Sequence, residues 1–305
     1  MPRCLQQPDP RLKGPFFQLI EVFSFLFLSC SLVRSSTIAL SQQQGLLAGV
    51  KVLQENILFV GNKSIPTEDL RAIFRNAGTV TANLPPEFRD TYNNDRIQHA
   101  IAMVLLVYRN RGFVKASVSP PEIEFTQGQP AGGVLFTIKI SESNAYTFRQ
   151  VKVNGTLALT TETALSILDL QPKAPVNLSK IETGIQALRE TYYTLGYLDV
   201  AATSSLDAPD NRKVADIQIN VTEGSQYHVG RLVLLGDTGV RESVLRDALP
   251  FRPGDIFGRK SFDACLDTLN EIGVTPVLTA KDVDFSYDAA RALVDVTIHL
   301  LGKKD

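Results

Sequence analysis

Metal sites and disulfide frameworks need residues that this sequence largely lacks. Its 305 residues include no Trp, 3 His and 3 Cys. Cys4 and Cys30 lie near the start, so removal of that stretch would leave Cys265 without a partner for an internal disulfide. No two histidines have metal-ligand spacing, and no cluster of carboxylates or cysteines completes such a site. We therefore predict that the protein holds no metal and no cofactor.

An excess of charge of one sign is also missing. The 31 Lys and Arg residues face 32 Asp and Glu, for a formal net charge of −1. Binding to a phosphate backbone by counterion release needs a larger supply of cations. The Gly-x-Ser-x-Gly turn of many hydrolases and the Gly-rich loop that binds nucleotide phosphates do not occur. The sequence predicts neither a nucleic-acid-binding protein nor an enzyme.

Long hydrophobic runs are the third shortage. The uncharged apolar stretch at residues 22–33 is much shorter than the roughly 20 residues of a membrane-spanning helix. Three basic residues precede it and small residues follow near Ser41, as in an export signal. We expect residues 1–41 to be a signal peptide. The alternatives are an uncleaved membrane anchor and a lipoprotein signal that uses Cys30.

What the chain does contain is a repeated pattern. Apolar residues make up 44% and charged residues 21% of the sequence, as in folded domains. A similar series of elements recurs after roughly 80 to 95 residues. It starts with a short aliphatic strand that ends in a Gly turn, followed by a helix with acidic residues in its first turn. The predicted strands are 56–62, 148–155 and 229–237, with turn glycines Gly61, Gly155 and Gly236, and the predicted helices are 66–74, 161–168 and 241–249.

The second helix of each repeat ends in a shared spacing. Tyr108-x3-Gly112 and Tyr192-x3-Gly196 are matched in the third repeat by Leu269-x3-Gly273, and an aromatic residue follows the first two glycines. A Gly just past the last helical turn adopts the left-handed conformation without a Cβ penalty, so the chain can turn directly into a strand. Two strands follow each helix, predicted at 114–119 and 134–141, at 198–205 and 214–221, and at 277–287 and 290–300.

These elements predict an α+β fold of three tandem βααββ units, each with two helices on a three-stranded sheet. We assign the first unit to residues 51–143, the second unit to residues 144–224 and the third unit to residues 225–305. The junctions between them are short, so neighbouring units should touch and form an elongated, semi-rigid array.

The repeated motifs resemble those of the polypeptide-transport-associated (POTRA) domain family. The similar features are the strand that ends in Gly-Asn, Asn-Gly or Gly-Asp, the Tyr-x3-Gly-aromatic helix exit, the junction at 221–227 and the loop at 253–257. The resemblance covers about residues 51–305. The third unit departs from the pattern with Leu269 in place of Tyr. The sequence ends at Asp305, whereas family members of the assembly type continue into a membrane β-barrel.

The resemblance implies a non-enzymatic scaffold in the periplasm, associated with the outer membrane. Its partners would be outer-membrane client proteins or subunits of an assembly or secretion machine. A separate β-barrel protein is a further candidate partner. The alternative is an envelope adaptor anchored in the inner membrane, which docks protein partners as some cell-division proteins do. An exported hydrolase is a third class, and the sequence lacks the groupings of residues that it would need.

In this family the last strand of each unit lies in the middle of the sheet, so the penultimate strand is an edge. An extended client segment could add to its unpaired backbone groups. Segment 198–205 is the best candidate because it has small side chains, one charge and no Pro, and we predict Leu198, Val200, Ala202 and Ser204 as partner-binding residues. Segment 114–119 suits less because Lys115 is charged and two prolines follow. The alternative is an ordinary sheet edge without a client.

Isolated reactive side chains are expected to have structural roles. His99 falls on a predicted helix, and His228 and His299 fall in or beside strands of the third unit. Cys265 fits the apolar pattern of a helix, which predicts a small core residue, with a reactive thiol as the alternative.

Overall fold

The computed structural model describes residues 56–77, 93–126, 133–236, 238–272 and 277–301. The predicted signal segment, residues 1–41, and Gly273 lie outside the described residues. Within these ranges the chain forms three sheets, each with its own helices. The predicted α+β class is confirmed, while the unit boundaries stay predictions.

The first unit builds its sheet around its last strand. Its elements are β1 (Ile57–Val60), α1 (Thr67–Ala77), α2 (Asn94–Asn110), β2 (Ser117–Val118), β3 (Glu122–Thr126) and β4 (Gly133–Ser141). β4 pairs in parallel with β1 and antiparallel with both β2 and β3. Helix α2 begins where the Asn93 side chain accepts a hydrogen bond from the Arg96 amide at 3.1 Å. This cap satisfies an N–H that the first helical turn leaves without a helical partner.

The second unit has the same order with an unbroken penultimate strand. Its elements are β5 (Thr147–Asn154), α3 (Thr161–Leu168), α4 (Leu178–Thr194), β6 (Ala201–Asp207) and β7 (Val214–Thr222). β7 lies between β5, to which it is parallel, and β6, to which it is antiparallel. Alternate residues of β7 are buried under the helices, so the sheet has one core face and one solvated face.

The third unit repeats this topology. Its elements are β8 (His228–Leu235), α5 (Glu242–Ala248), α6 (Arg259–Glu271), a 3-10 helix (Ala280–Asp282), β9 (Val283–Asp288) and β10 (Leu293–His299). β10 is the central strand, parallel to β8 and antiparallel to β9. In both the second and the third unit, the penultimate strand is therefore an edge.

The predicted strand at 114–119 was wrong at its start. The chain turns over these first residues, where the Ala116 amide donates to the Phe113 carbonyl at 2.9 Å, and only Ser117–Val118 pair as a strand. Pro120 and Pro121 lack the N–H that a ladder needs. Pairing resumes at Glu122–Thr126, a strand that the sequence did not predict.

Two other strand boundaries also differ from prediction. Segment 198–205 was predicted as a strand, but β6 begins at Ala201, after the turn that completes the helix exit. Segment 277–287 pairs only from Val283 onward, because a capping box between Thr279 and Asp282 starts the 3-10 helix first. The last strand, predicted at 290–300, spans Leu293–His299.

The helix exits of the first and second units each pack an aromatic pair. The buried Tyr108 ring meets Phe113 edge to face, with centroids 5.8 Å apart, and Tyr192 meets Tyr197 in the same way at 5.7 Å. The amide of the second ring's residue bonds back to the carbonyl of the first, at 3.1 and 3.0 Å. This closure requires the intervening glycine to turn left-handed, and Gly112 and Gly196 have φ of 95° and 87°.

Neighbouring units are joined by the same contacts twice. The Gly112 carbonyl accepts from the Tyr146 amide, and the Gly196 carbonyl accepts from the Tyr227 amide, both at 2.8 Å. Two residues after each glycine an aliphatic side chain, Val114 or Leu198, packs against the core of the following unit. Consecutive units therefore touch, as the short junctions predict.

Cys265 lies in the core of the third unit with no exposed surface. Burial raises the pKa of its thiol to about 12, so the thiolate that reacts with electrophiles is scarce at neutral pH. We expect the peptide that carries Cys265 to remain unmodified by iodoacetamide at pH 8 in the folded protein and to react fully in denaturant, as read by mass spectrometry. Modification at equal rates in the two states would contradict the core assignment.

Candidate functional site

Strand β6, the predicted partner-binding edge, pairs on one side. Among the described residues its ladder runs to β7, from Ala201 opposite Thr222 to Asp207 opposite Asp216. The four predicted residues are placed differently from one another. Ala202 and Ser204 lie in the strand, whereas Leu198 and Val200 precede it. Leu198 packs against the third-unit core, Val200 and Ala202 are buried, and Ser204 is exposed.

A hydrogen bond from a neighbouring helix shows which backbone groups of β6 point away from β7. Arg189 of α4 donates from Nη2 to the Ala202 carbonyl at 2.6 Å. The first unit shows the same alternation. Val118 takes the position of Ala202 there, and the amide of the next residue, Ser119, donates to the Lys139 carbonyl of the central strand at 2.9 Å. Along an antiparallel strand, the backbone N–H and C=O groups of successive residues point alternately toward and away from the partner strand. The groups of Ala202 and Ser204 therefore both point away from β7.

The opposite edge of the second sheet is partly closed by the chain itself. The Phe148 amide donates to the Ala174 carbonyl at 2.9 Å, and the Lys173 amide donates to the Phe148 carbonyl at 2.7 Å. We call residues 173–176 the second-unit strap. It occupies the start of β5, so an added strand has no access to that part of the edge.

The third unit has an equivalent strap at residues 254–257. The Gly254 amide donates to the Val229 carbonyl at 2.7 Å, and the Val229 amide donates to the Asp255 carbonyl at 2.8 Å. This segment belongs to the loop at 253–257 on which part of the family resemblance rests. Its role in this structure is to cover the start of β8.

A buried glutamate holds the loop after the first strand of the second unit. Glu223 is 8% exposed. It accepts hydrogen bonds from the Tyr192 hydroxyl at 2.7 Å and from the Leu157 and Ala158 amides at 2.6 and 2.9 Å. We call this set the Glu223 clasp. It ties the end of β7 to the second helix and to the loop between β5 and α3.

The first unit contains the same arrangement around Glu142. This carboxylate accepts from the Tyr108 hydroxyl at 3.0 Å and from the Lys63 and Ser64 amides at 2.6 and 2.7 Å. The Ser64 hydroxyl adds a bond to the second carboxylate oxygen at 2.7 Å. The Tyr of the helix-exit motif therefore has a defined hydrogen-bond partner in both units.

Both glutamates are held ionised at neutral pH. Burial opposes the charged form, but the tyrosine and amide donors outweigh it and keep the pKa of Glu142 and of Glu223 below the ordinary value. Burial and the adjacent carboxylate raise the pKa of Tyr108 and Tyr192. The hydroxyls thus remain protonated donors.

We expect the first two units to lose stability in acid before the third. A carboxylate whose pKa is lowered by folding contributes stability at neutral pH and loses it as the pH falls below the ordinary glutamate pKa of about 4.3. The third unit has Leu269 in the Tyr position. Its carboxylates with a lowered pKa, Asp288 and Asp295, pair with exposed arginines, and such pairs add little stability. Hydrogen exchange, corrected for its intrinsic pH dependence, should show protection of α2 and α4 falling at a higher pH than that of α6. Parallel loss in the three helices would contradict the role of the clasps.

In the sequence, Glu223 falls in the junction at 221–227 and Glu142 lies at the end of the first unit, and neither was assigned a role. The available signal was the pairing of each Glu with a helix-exit Tyr in the same unit. In the sequence of the third unit both are replaced. Leu269 stands for Tyr, and Gly302, outside the described residues, follows Leu300 by two positions as Glu223 follows Val221. Joint replacement is favourable because a lone buried hydroxyl or carboxylate costs desolvation energy without a partner.

The described ranges hold no group of His, Cys, Asp and Glu side chains that could bind a metal ion. His299 bonds to Asp284 at 2.8 Å across neighbouring strands, a structural contact. No helix in the same ranges has the length and apolar character to cross a membrane.

Two sequence relatives support the assignment of the repeats. A protein of Treponema pallidum (strain Nichols), assigned as an outer membrane protein assembly factor, is 22% identical over 256 residues, which cover 83% of this chain and 29% of that protein. The outer membrane protein assembly factor BamA of Buchnera aphidicola is 20% identical over 172 residues, 56% of this chain and 28% of that protein. This chain therefore spans less than a third of the length of either relative.

A solved structure shows the same fold. The crystal structure of Haemophilus influenzae BamA POTRA3-5 matches with a TM-score of 0.53 at 19% identity, over 80% of this chain and 94% of that one. The family model for POTRA, described as the surface antigen variable number repeat, matches residues 54–143 and 146–224. Because these two consecutive matches cover more than half of the sequence and the three sheets share their topology, the chain belongs to the POTRA family.

Proposed function

We propose that this chain is a non-enzymatic periplasmic scaffold that binds outer-membrane client proteins, or subunits of the machine that assembles or secretes them. Assembly factors are among its relatives, and its fold is that of an assembly-factor POTRA array. A scaffold near the outer membrane would meet clients in extended form before they fold.

The observation that carries the proposal is the open edge of β6. The first strand of the same sheet is covered at its start by the second-unit strap, whereas β6 pairs with β7 alone among the described residues. Its outward groups at Ser204 lie between small polar side chains, Thr203 and Ser205. A strand added here would bind through main-chain hydrogen bonds, which accept many client sequences.

The test uses two substitutions at one position. Ser204→Pro removes an outward N–H and places a ring on the edge, without removing a ladder bond to β7. Ser204→Ala keeps every backbone group. We expect a labelled peptide from a transmembrane β-strand, followed by fluorescence anisotropy, to bind the parent and Ser204→Ala alike and to lose at least tenfold in affinity for Ser204→Pro.

Thermal melting checks that the proline variant is folded. Equal binding by all three proteins would exclude the β6 edge as the site, and absence of binding by the parent would contradict client recognition by strand addition.

A further inference from the structure

Arg189 already occupies part of the edge that a client would use. It lies on α4, and its side chain is 26% exposed. Its Nη2 donates to the carbonyl of Ala202, the second residue of β6, at 2.6 Å. An incoming strand that paired with Ala202 would have to displace this hydrogen bond or forgo one of its own. Arg189 therefore covers the edge at Ala202, whereas no equivalent hydrogen bond covers Ser204 among the described residues.

The Arg189 guanidinium makes no second hydrogen bond within the described residues. It has one long ion pair, to Glu182, whose Oε1 lies 4.0 Å from Nη1, beyond hydrogen-bond distance. Glu190, one residue further along α4, accepts from the Gln186 amide group at 2.8 Å. Several N–H donors of Arg189 are thus available beside the Ala202 carbonyl, at the edge where a strand would add.

The third unit has a guanidinium with more contacts in a similar place. Arg246 of α5 donates to the Leu232 carbonyl of edge strand β8 at 3.0 Å. It also bonds to Glu242 through Nε at 2.8 Å and Nη2 at 2.7 Å. Its planar fork is already matched by a carboxylate of the same helix. Arg246 therefore caps the edge and has little left to offer a partner, in contrast to Arg189.

We propose that Arg189 selects the clients of β6, favouring extended segments that carry an Asp or Glu side chain at the position facing Ala202. This inference rests on the proposed function. A client carboxylate takes the free guanidinium donors in a charge-assisted pair, which draws Arg189 from the Ala202 carbonyl and frees that acceptor for the added strand. A neutral client gains neither contact and pairs only from Ser204 onward.

The test compares peptides that differ in one side chain. Ten-residue Val/Thr peptides, acetylated and amidated, carry Glu at successive positions, and each has a Gln counterpart. At one register we expect the parent protein to bind the Glu peptide about fivefold more tightly than the Gln peptide, the effect of a partly exposed ion pair. The preference should shrink as salt is added. Arg189→Met keeps the length of the side-chain stem and should abolish the preference.

Arg246→Met is the matched control, because it removes a capping arginine from the other covered edge and should leave the preference unchanged. A parent that binds Glu and Gln peptides equally at every register, or an Arg189→Met variant that keeps the preference, would overturn the proposal. If the peptides bind, prefer Glu and are insensitive to Ser204→Pro, the proposed strand addition at β6 fails instead. Melting curves of both Met variants establish that they remain folded.

Discussion

Replacing Gly155 with Ala is expected to unfold the second unit, with a loss on the order of 4 kcal/mol or more in its free energy of unfolding. Gly155 directly follows β5 and has φ of 82°, which L-residues rarely adopt. A Cβ at this position would also overlap the carbonyl oxygen of Val221, on the central strand. Val221 cannot retreat easily, because its side chain is buried and Glu223 is fixed two residues later.

Gly254→Ala separates the two causes of that loss. Gly254 has φ of 95°, but no described heavy atom lies within 4 Å of the position that a Cβ would take. The variant should therefore lose only the cost of the left-handed conformation, about 1 to 2 kcal/mol. Hydrogen exchange in α4 and α6 reports each unit separately. Equal losses for the two variants would show that the close approach to Val221 contributes nothing.

Gly61 is the corresponding glycine of the first unit, where a Cβ would overlap the Ile140 carbonyl. The turn glycines were predicted from sequence because their signal is local. A short aliphatic strand followed by Gly and a helix start is visible within one stretch of chain. The bounds of α3 were predicted correctly for the same reason, since Thr160 supplies a cap next to the helix that it starts.

The features that could not be predicted depend on contacts between distant segments. Leu198 was assigned to a client-binding strand because its neighbourhood has small, strand-forming side chains. Its actual environment is the core of the next unit, which no local pattern encodes. Arg189 likewise reads as one charge among several on a solvated helix. Only the packing of α4 on the sheet brings its guanidinium to the Ala202 carbonyl.

The edge at Ser204 could be predicted in part. The order of strands follows from the repeated βααββ pattern, so a penultimate edge strand is predictable. Which residues of that strand expose their backbone depends on the register with β7, and the register is set by burial of alternate side chains across the whole sheet. The straps that cover β5 and β8 are loops whose pairing leaves no periodic signal.

Removing the carboxylate of Glu223 is the second change with a large expected effect. Glu223→Ala leaves the Tyr192 hydroxyl and the Leu157 and Ala158 amides without their acceptor. The Tyr192 hydroxyl is buried, and such a group without an acceptor costs about 1 to 3 kcal/mol. The two amides belong to exposed residues that water can reach, so they add less. We expect the second unit to lose about 3 kcal/mol, measured as faster exchange of the α4 amides. The third unit should be unaffected.

Two further variants test whether the loss comes from stranded donors. Tyr192→Phe combined with Glu223→Leu removes donor and acceptor together, as the third unit does with Leu269, and should cost less than the sum of the single changes. Glu122→Ala removes an exposed glutamate that pairs with Lys139, and should change little. If Glu223→Ala is as mild as Glu122→Ala, the clasp is a dispensable contact, and the joint absence of Tyr and Glu from the third unit needs another cause.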